Sequence, residues 1–253
     1  MSVVNAQSSS SFTSEELAEL NAAFEAAEPH KIVSWAAGRF AGSLVMSSSF
    51  GADSAVLLHM AQSALPGIKV IFVNTGYLFP ETHAFMEELR LKLNLNVWTY
   101  RTKNDPITWL QHAGEGTPNW RNDITACCAA NKNEPFERAM KQLQPQAWLR
   151  GIRRNQSESR KSVSFVELAP RYHCLAISPL LNWTSREIHA YLKAHDLPYH
   201  PLTDKGYLSI GCNPESCTRP IALGDDARSG RWAGTGKLEC GINIVNSLDS
   251  SNL

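Results

Sequence analysis

No stretch of this 253-residue chain approaches the roughly eighteen consecutive apolar residues that a membrane-spanning helix needs. The N-terminus lacks the charged start and apolar run of a signal peptide, and the first fourteen residues hold no arginine, which disfavours a transit peptide. Neither sign of charge is in surplus. Twenty-four basic residues balance twenty-four acidic ones, so no global field draws in nucleic acid or an anionic membrane, and any anion site must be local. There is no internal repeat, no Walker A Gly-Lys-Ser/Thr and no Cys-x-x-Cys dithiol. These absences point to a cytoplasmic protein with no nucleic-acid or membrane partner. Its six cysteines then serve metal binding or redox chemistry rather than a disulfide framework.

What is present suits one good-sized core: 43% of the residues are hydrophobic. A polar tail over 1–14 is expected to be disordered. Thr13-Ser14-Glu15-Glu16 then reads as the capping box of a helix running to about Glu28. Strand signals at 43–46, 69–74, 95–100 and 146–149 alternate with helix signals at 53–63, 80–93 and 125–143, and a further capping box at Thr184 opens a helix to about His195. The pattern predicts an α/β domain over 15–223 with a mainly parallel sheet flanked by helices, in which ligands bind beyond the carboxyl ends of the strands. Beyond Pro198 the chain turns loop-rich, and 224–253 is expected to be a mobile C-terminal segment.

Four constellations carry chemistry. Ser47, Ser48, Ser49, Phe50, Gly51, Ala52, Asp53 and Ser54 join a strand end to a helix start, where hydroxyls, a glycine and free helix N–H groups can cradle phosphate or sulfate. This resembles a modified pyrophosphatase loop of the nucleotide-alpha-hydrolases, Ser-Gly-Gly-x-Asp-Ser, with Phe50 at the first glycine. An ordinary polar turn is the bland alternative. Asn74 to Thr82, with Thr75 and Gly76, forms a second strand-to-helix turn and a candidate nucleoside pocket, or simply a capped turn. Arg153 and Arg154 follow a strand and offer permanent, bidentate donors to an anion, unless they are a solvated pair; Arg219, Arg228 and Arg231 form a later basic cluster.

The cysteines divide by spacing. Cys127-Cys128 and the later Cys212 and Cys217 supply four thiolates for an iron–sulfur cluster or structural zinc, the alternatives being buried spectators or a disulfide pair. Cys174, in an apolar run, reads as a core residue. Cys240 lies thirteen residues from the end in a glycine-rich, charged stretch, and reads as an accessible thiol that reacts.

Ser47 to Ser54, Asn74 to Thr82, Cys127-Cys128, Gly151 to Ser157, Gly206 to Cys212, Cys217 to Pro220, Gly230-Arg231-Trp232 and Glu239-Cys240-Gly241, in that order, resemble the assimilatory adenylyl-sulfate and phosphoadenylyl-sulfate reductases. The resemblance implies that Cys240 attacks the sulfonyl sulfur of adenylyl sulfate, leaving an S-sulfocysteine, and that a thioredoxin or glutaredoxin dithiol then frees sulfite. It implies a 4Fe–4S cluster on Cys127, Cys128, Cys212 and Cys217. Lys132 then links cluster and substrate, and Arg153 or Arg154, Arg228 and Arg231 hold the phosphosulfate, with Gly224 to Gly236 as the hinge of the C-terminal segment. A homo-oligomer is compatible with the sequence.

Three departures stand out. Four residues separate Cys212 from Cys217 where the family has two, so this loop must bulge; Asn243 replaces a common histidine; and the Ser47–Gly51 loop resembles the cluster-free, phosphoadenylyl form. The cysteines favour adenylyl sulfate and the loop the 3′-phosphorylated nucleotide, with a dual-substrate enzyme as the middle reading. An ATP pyrophosphatase and a non-catalytic iron–sulfur nucleotide sensor are the rivals from other classes.

Overall fold

The computed structural model describes residues 12–103, 123–222, 228–235, 237 and 239–245. Six strands, β1 (Leu44–Ser47), β2 (Lys69–Asn74), β3 (Asn96–Arg101), β4 (Ala147–Leu149), β5 (Val166–Ala169) and β6 (Cys174–Ile177), form one sheet in the order β3-β2-β1-β4-β6-β5. Every pairing is parallel except β5 with β6. The helices are α1 (Ser14–Glu25), α2 (Pro29–Phe40), α3 (Ser54–Ala64), α4 (Pro80–Lys92), α5 (Ile124–Cys128), α6 (Glu134–Leu143) and α7 (Ser185–Ala194), with a π-helical turn, Ala129–Asn133, joining α5 to α6. The expected α/β architecture with a mainly parallel sheet is the one observed. Among the described residues no helix is long and apolar enough to cross a membrane.

Side-chain alternation along the strands sorts the core onto two faces. Met46, Phe72, Leu149 and Ile177 join a cluster with α2, α3 and α7, whereas Val45, Ile71, Trp148 and Ala176 face the other way and are covered by Phe136, Ala139 and Met140 of α6. Both faces are therefore buried, as a parallel sheet requires. The second cluster also contains Cys240, Ile242 and Val245. The described part of the C-terminal segment is thus packed against the sheet, and Cys240, only 6% exposed, is not the accessible thiol that its glycine-rich surroundings suggest.

Other expectations shift at their edges. The described residues begin at Phe12, whose ring lies 6.4 Å from that of Phe40, and Thr13 caps α1 reciprocally with Glu16, so the tail expected over 1–14 loses its last three residues; 1–11 lie outside the described residues. Of the expected hinge, 224–227 and 236 lie outside them too. Helix α2 was not expected, although Pro29 opens it and Ile32, Val33, Ala36, Ala37 and Phe40 mark one buried face. Strands β5 and β6 were also missed: no α-helix separates β4, β5 and β6, so the strand–helix alternation that marks the earlier strands is absent there.

Candidate active site

Strand β1 leads to β2 on one side, while β4, its neighbour on the other side, leads away towards β6 and β5. At such a switch point the connections leave the carboxyl ends in opposite directions and open a crevice. The Ser47–Ser54 loop and the segment after β4 border it. Ser47 Oγ accepts from Trp148 Nε1 at 2.8 Å, and Phe50 N donates to Ser48 Oγ at 3.0 Å. Phe50 has a left-handed backbone, φ +49°, and a fully buried ring set edge-on to Phe72 at 5.2 Å. The conformation costs a non-glycine residue about 1–2 kcal/mol, while burying the ring gains about 2–3 kcal/mol. Burial wins, and the ring pins the loop with the N-terminus of α3 facing the crevice.

A cavity of about 200 Å³ lies here, lined by Ser47, Ser48, Ser49, Gly51, Lys132, Arg153, Arg228, Arg231 and Cys240. The structure brings these expected site residues together from five separated segments. Carboxylates fix several of the cations: Arg153 pairs with Asp53, and Glu239 receives Arg160 at 2.7 Å and Arg228 at 3.3 Å. Burial, with the neighbouring Arg160 charge, lowers Arg228 to about 10, still protonated at neutral pH. Among the described residues Lys132 and Arg231 have no carboxylate partner. Burial pushes the Cys240 thiol up, but the Lys132 ammonium, the Ile242 N–H and Arg228 outweigh both burial and the Glu239 carboxylate, so the thiol sits below its ordinary value. Burial presses the Lys132 ammonium down, but the charges of Cys240, Cys212 and Cys128 together outweigh burial and the Arg231 charge, so Lys132 rises in return.

A second, smaller cavity is lined by Cys127, Cys128, Cys212 and Cys217 together with Thr75 and Asn131. It shares Lys132, Arg231 and Trp232 with the first, so these three side chains form the wall between the two cavities. Asp123 caps α5 by accepting from Thr125 N and Ala126 N, both at 2.9 Å, and so orients Cys127 and Cys128. The widened Cys212–Cys217 loop bulges and is anchored by Asn213 N on Tyr77 O at 2.6 Å and Cys217 N on Pro214 O at 2.7 Å. Polar groups approach the sulfurs: Asn131 Nδ2 donates to Cys127 Sγ at 3.6 Å, and Thr75 Oγ1 lies 3.4 Å from Cys212 Sγ. All six cysteines are free; burial raises Cys127 to about 12, Cys217 to about 11, and Cys128 as well. Among the described residues no three metal-ligating side chains stand close enough to share one ion.

Three expected residues lie elsewhere. Arg154 binds Glu25 at 2.8 Å and Asn182 at 2.7 Å, and its guanidinium lies over the Phe165 ring, away from the cavity. Thr75 belongs to the sulfur cavity, and Gly76 to a surface hollow with Tyr207 and Arg219. Sequence reasoning missed Arg150 and Arg160, both cavity-lining and nearly inaccessible. An arginine directly after the apolar run Ala147–Leu149 was the signal for Arg150; Arg160 gave none.

With this geometry in view, comparison with known proteins is direct. The family model of the phosphoadenosine phosphosulfate reductase domain matches residues 43–220. The chain is 42% identical to a phosphoadenosine 5′-phosphosulfate reductase of Synechococcus over 90% of its own length and 97% of the relative's. It is 36% identical to an adenosine 5′-phosphosulfate reductase of Salinibacter ruber, over 96% of its length and 94% of that protein's. A crystal structure of phosphoadenylyl-sulfate reductase from Candida auris superposes with a TM-score of 0.70 at 27% identity, covering 80% of this chain and 96% of that one. An FMN adenylyltransferase of Candida glabrata shares the fold at a TM-score of 0.55 and 17% identity, over 77% of this chain and 68% of that one.

Proposed function

We propose, from the premise that this chain belongs to the phosphoadenosine phosphosulfate reductase family and is a sulfonucleotide reductase, that it reduces adenosine 5′-phosphosulfate to sulfite and AMP at the expense of a separate dithiol protein. The observation that carries this reading is the single cavity holding both Cys240 and the Ser47–Ser54 loop. Cys240 Sγ attacks the sulfonyl sulfur; an S–S bond forms, the S–O bond to the phosphate breaks, and AMP leaves with the electron pair. Lys132 and Arg231 offer positive charge to the phosphosulfate and to the leaving phosphate, and Lys132 also favours the attacking thiolate. A thioredoxin-type thiolate then attacks Cys240 Sγ and expels sulfite, and its second thiol resolves the mixed disulfide. The chain's lack of a Cys-x-x-Cys motif supports an external source for both electrons.

The sulfur cavity supports a cluster-bearing member of the family. Its ligating groups are four thiols, and an N–H donor and a hydroxyl approach two of the sulfurs, as thiolate ligands need. The all-sulfur donor set is soft, which suits iron–sulfur chemistry. Cys127, Cys128, Cys212 and Cys217 would hold it, and bound there it would supply a fixed electrostatic element behind Lys132 and Arg231. The choice of the unphosphorylated nucleotide follows the association of such cysteines with adenylyl sulfate that the family resemblance implies.

Incubation with either nucleotide in the absence of reductant, followed by intact mass, tests the reading. A mass increase of one SO₃ group on Cys240, faster with adenosine 5′-phosphosulfate, is expected. Preference for the 3′-phosphorylated nucleotide would reverse the substrate assignment, and absence of the adduct with both would end the mechanism.

A further inference from the structure

The segment that carries Cys240 is gripped by its backbone. Three consecutive carbonyls are each taken by a side chain that borders the sheet: Gly241 O by Arg171 Nη1 at 3.3 Å, Ile242 O by the Tyr172 hydroxyl at 3.0 Å, and Asn243 O by Arg150 Nη1 at 3.1 Å. Two of these donors come from the turn before β6. Arg150 comes from the end of β4, beside the nucleotide loop, and of the three it alone lines the cavity. Its guanidinium is held independently of the segment. Ser178 Oγ accepts from Nε at 2.9 Å, Glu167 forms an ion pair with Nη2, and the side chain is 1% exposed. A grip on carbonyls does not read side chains, so an asparagine at 243 is held as well as any other residue.

We propose that Arg150 is a positioning residue for the nucleophile: a post fixed by Glu167 and Ser178 to which the Cys240 segment attaches through Asn243 O. Its catalytic consequence rests on the reductase reading given above. At 6% exposure, Cys240 Sγ cannot be reached by the dithiol of another protein in this arrangement. The cavity of about 200 Å³ also falls below the roughly 300–1,000 Å³ of ordinary small-molecule pockets. The segment must therefore withdraw both to admit nucleotide and to present the modified cysteine. Each withdrawal breaks the Arg150–Asn243 bond, while the bonds to Glu167 and Ser178 stay intact. The post sets how readily the nucleophile leaves and restores its position on return.

Arg150→Met removes the post. Arg150→Lys keeps a charge for Glu167 but loses the fork that reaches both sides. The first measurement is the rate of Cys240 alkylation by iodoacetamide, resolved by peptide mass spectrometry. Removing a hydrogen bond from a charged donor predicts a rise of about tenfold in Arg150→Met and a smaller one in Arg150→Lys. The second compares half-reactions: single-turnover sulfonation of Cys240 slows and half-saturates at higher nucleotide concentration, while discharge of the preformed adduct by a small dithiol is unchanged or faster. Unchanged alkylation in variants that melt like the parent overturns the proposal, as does equal slowing of both half-reactions, which marks a merely structural residue. If the parent forms no adduct with either nucleotide, the reductase mechanism fails, and the alkylation rates still decide the role of Arg150.

Discussion

The guanidinium of Arg231 occupies the space in which any residue but glycine at 211 would carry its β-carbon: Arg231 Nη1 lies 2.7 Å from that position, and Nη2 and Cζ lie nearer still. Arg231 Nε donates to Cys217 O at 3.0 Å, and the guanidinium stacks on Trp232 at 4.5 Å from the ring centroid. Gly211 is therefore the reason that a cation can lie flat between the sulfur cavity and the nucleotide cavity. Replacing Gly211 by Ala forces Arg231 out of this wall. Affinity for the sulfonucleotide is expected to fall about tenfold or more, the size of a charged hydrogen bond lost, as measured by calorimetry; unchanged affinity removes Arg231 from the binding set.

Cys240→Ser keeps the cavity and removes the thiol. Sulfite production is expected to vanish while nucleotide binding persists within a few-fold, since Lys132, Arg228 and Arg231 remain in the cavity lining. Residual sulfite formation would falsify the thiol mechanism.

Lys132 is the largest influence that lowers the Cys240 thiol. In Lys132→Met the thiol loses that support, so less thiolate exists at neutral pH and the alkylation profile of Cys240 shifts to higher pH. A profile superimposable on that of the parent protein would show that the ammonium does not set the thiolate.

Anaerobic purification is expected to give a coloured protein with about four irons per chain, as four cysteine ligands to a 4Fe–4S cluster imply, and Cys217→Ser to lose both colour and iron. A colourless, iron-free parent that makes sulfite at full rate disproves the cluster.

His200 is 1% exposed; its Nδ1 accepts from Leu202 N and its Nε2 donates to Thr82 Oγ1, both at 3.1 Å. Burial lowers it from 6.5 to about 4, so the folded protein holds it neutral where the unfolded chain protonates it. Its contribution is complete above pH 6.5 and is lost as the pH falls to 4, by about 3 kcal/mol. Urea unfolding at pH 7 and pH 4.5 should show a smaller loss in His200→Gln than in the parent. Equal losses would place the acid sensitivity elsewhere.

Much of the frame was legible because strong local signals agree with the fold. Strand β2 falls at 69–74 as its apolar run predicts, and the capping boxes at Thr13 and Thr184 open α1 and α7 where hydroxyl and carboxylate can exchange hydrogen bonds with the backbone. Strands β5 and β6 follow β4 without an intervening α-helix, so no strand–helix alternation announces them and their pairing defines them. Of the adjacent arginines 153 and 154, Arg153 turns into the cavity to meet Asp53 and Arg154 turns out to Glu25 and Phe165. Arg153 is extended whereas Arg154 opens a 3-10 turn, so the backbone changes direction between them and no sequence pattern says which side chain points in.

By itself the sequence determined which chemistry the chain carries: a hydroxyl-rich loop at a strand end, two pairs of cysteines, scattered cations and, outside the pairs, Cys174 in an apolar run and Cys240 in a glycine-rich one. These are properties of residue type and order. The tertiary structure alone decided that Lys132, Arg231 and Trp232 form one wall between two cavities, and that Cys240 is buried, with carbonyls 241 to 243 held by Arg171, Tyr172 and Arg150. The physical reason is that these contacts join residues about seventy or more positions apart through backbone atoms common to every residue type. Such contacts leave no mark on the sequence at 241 to 243.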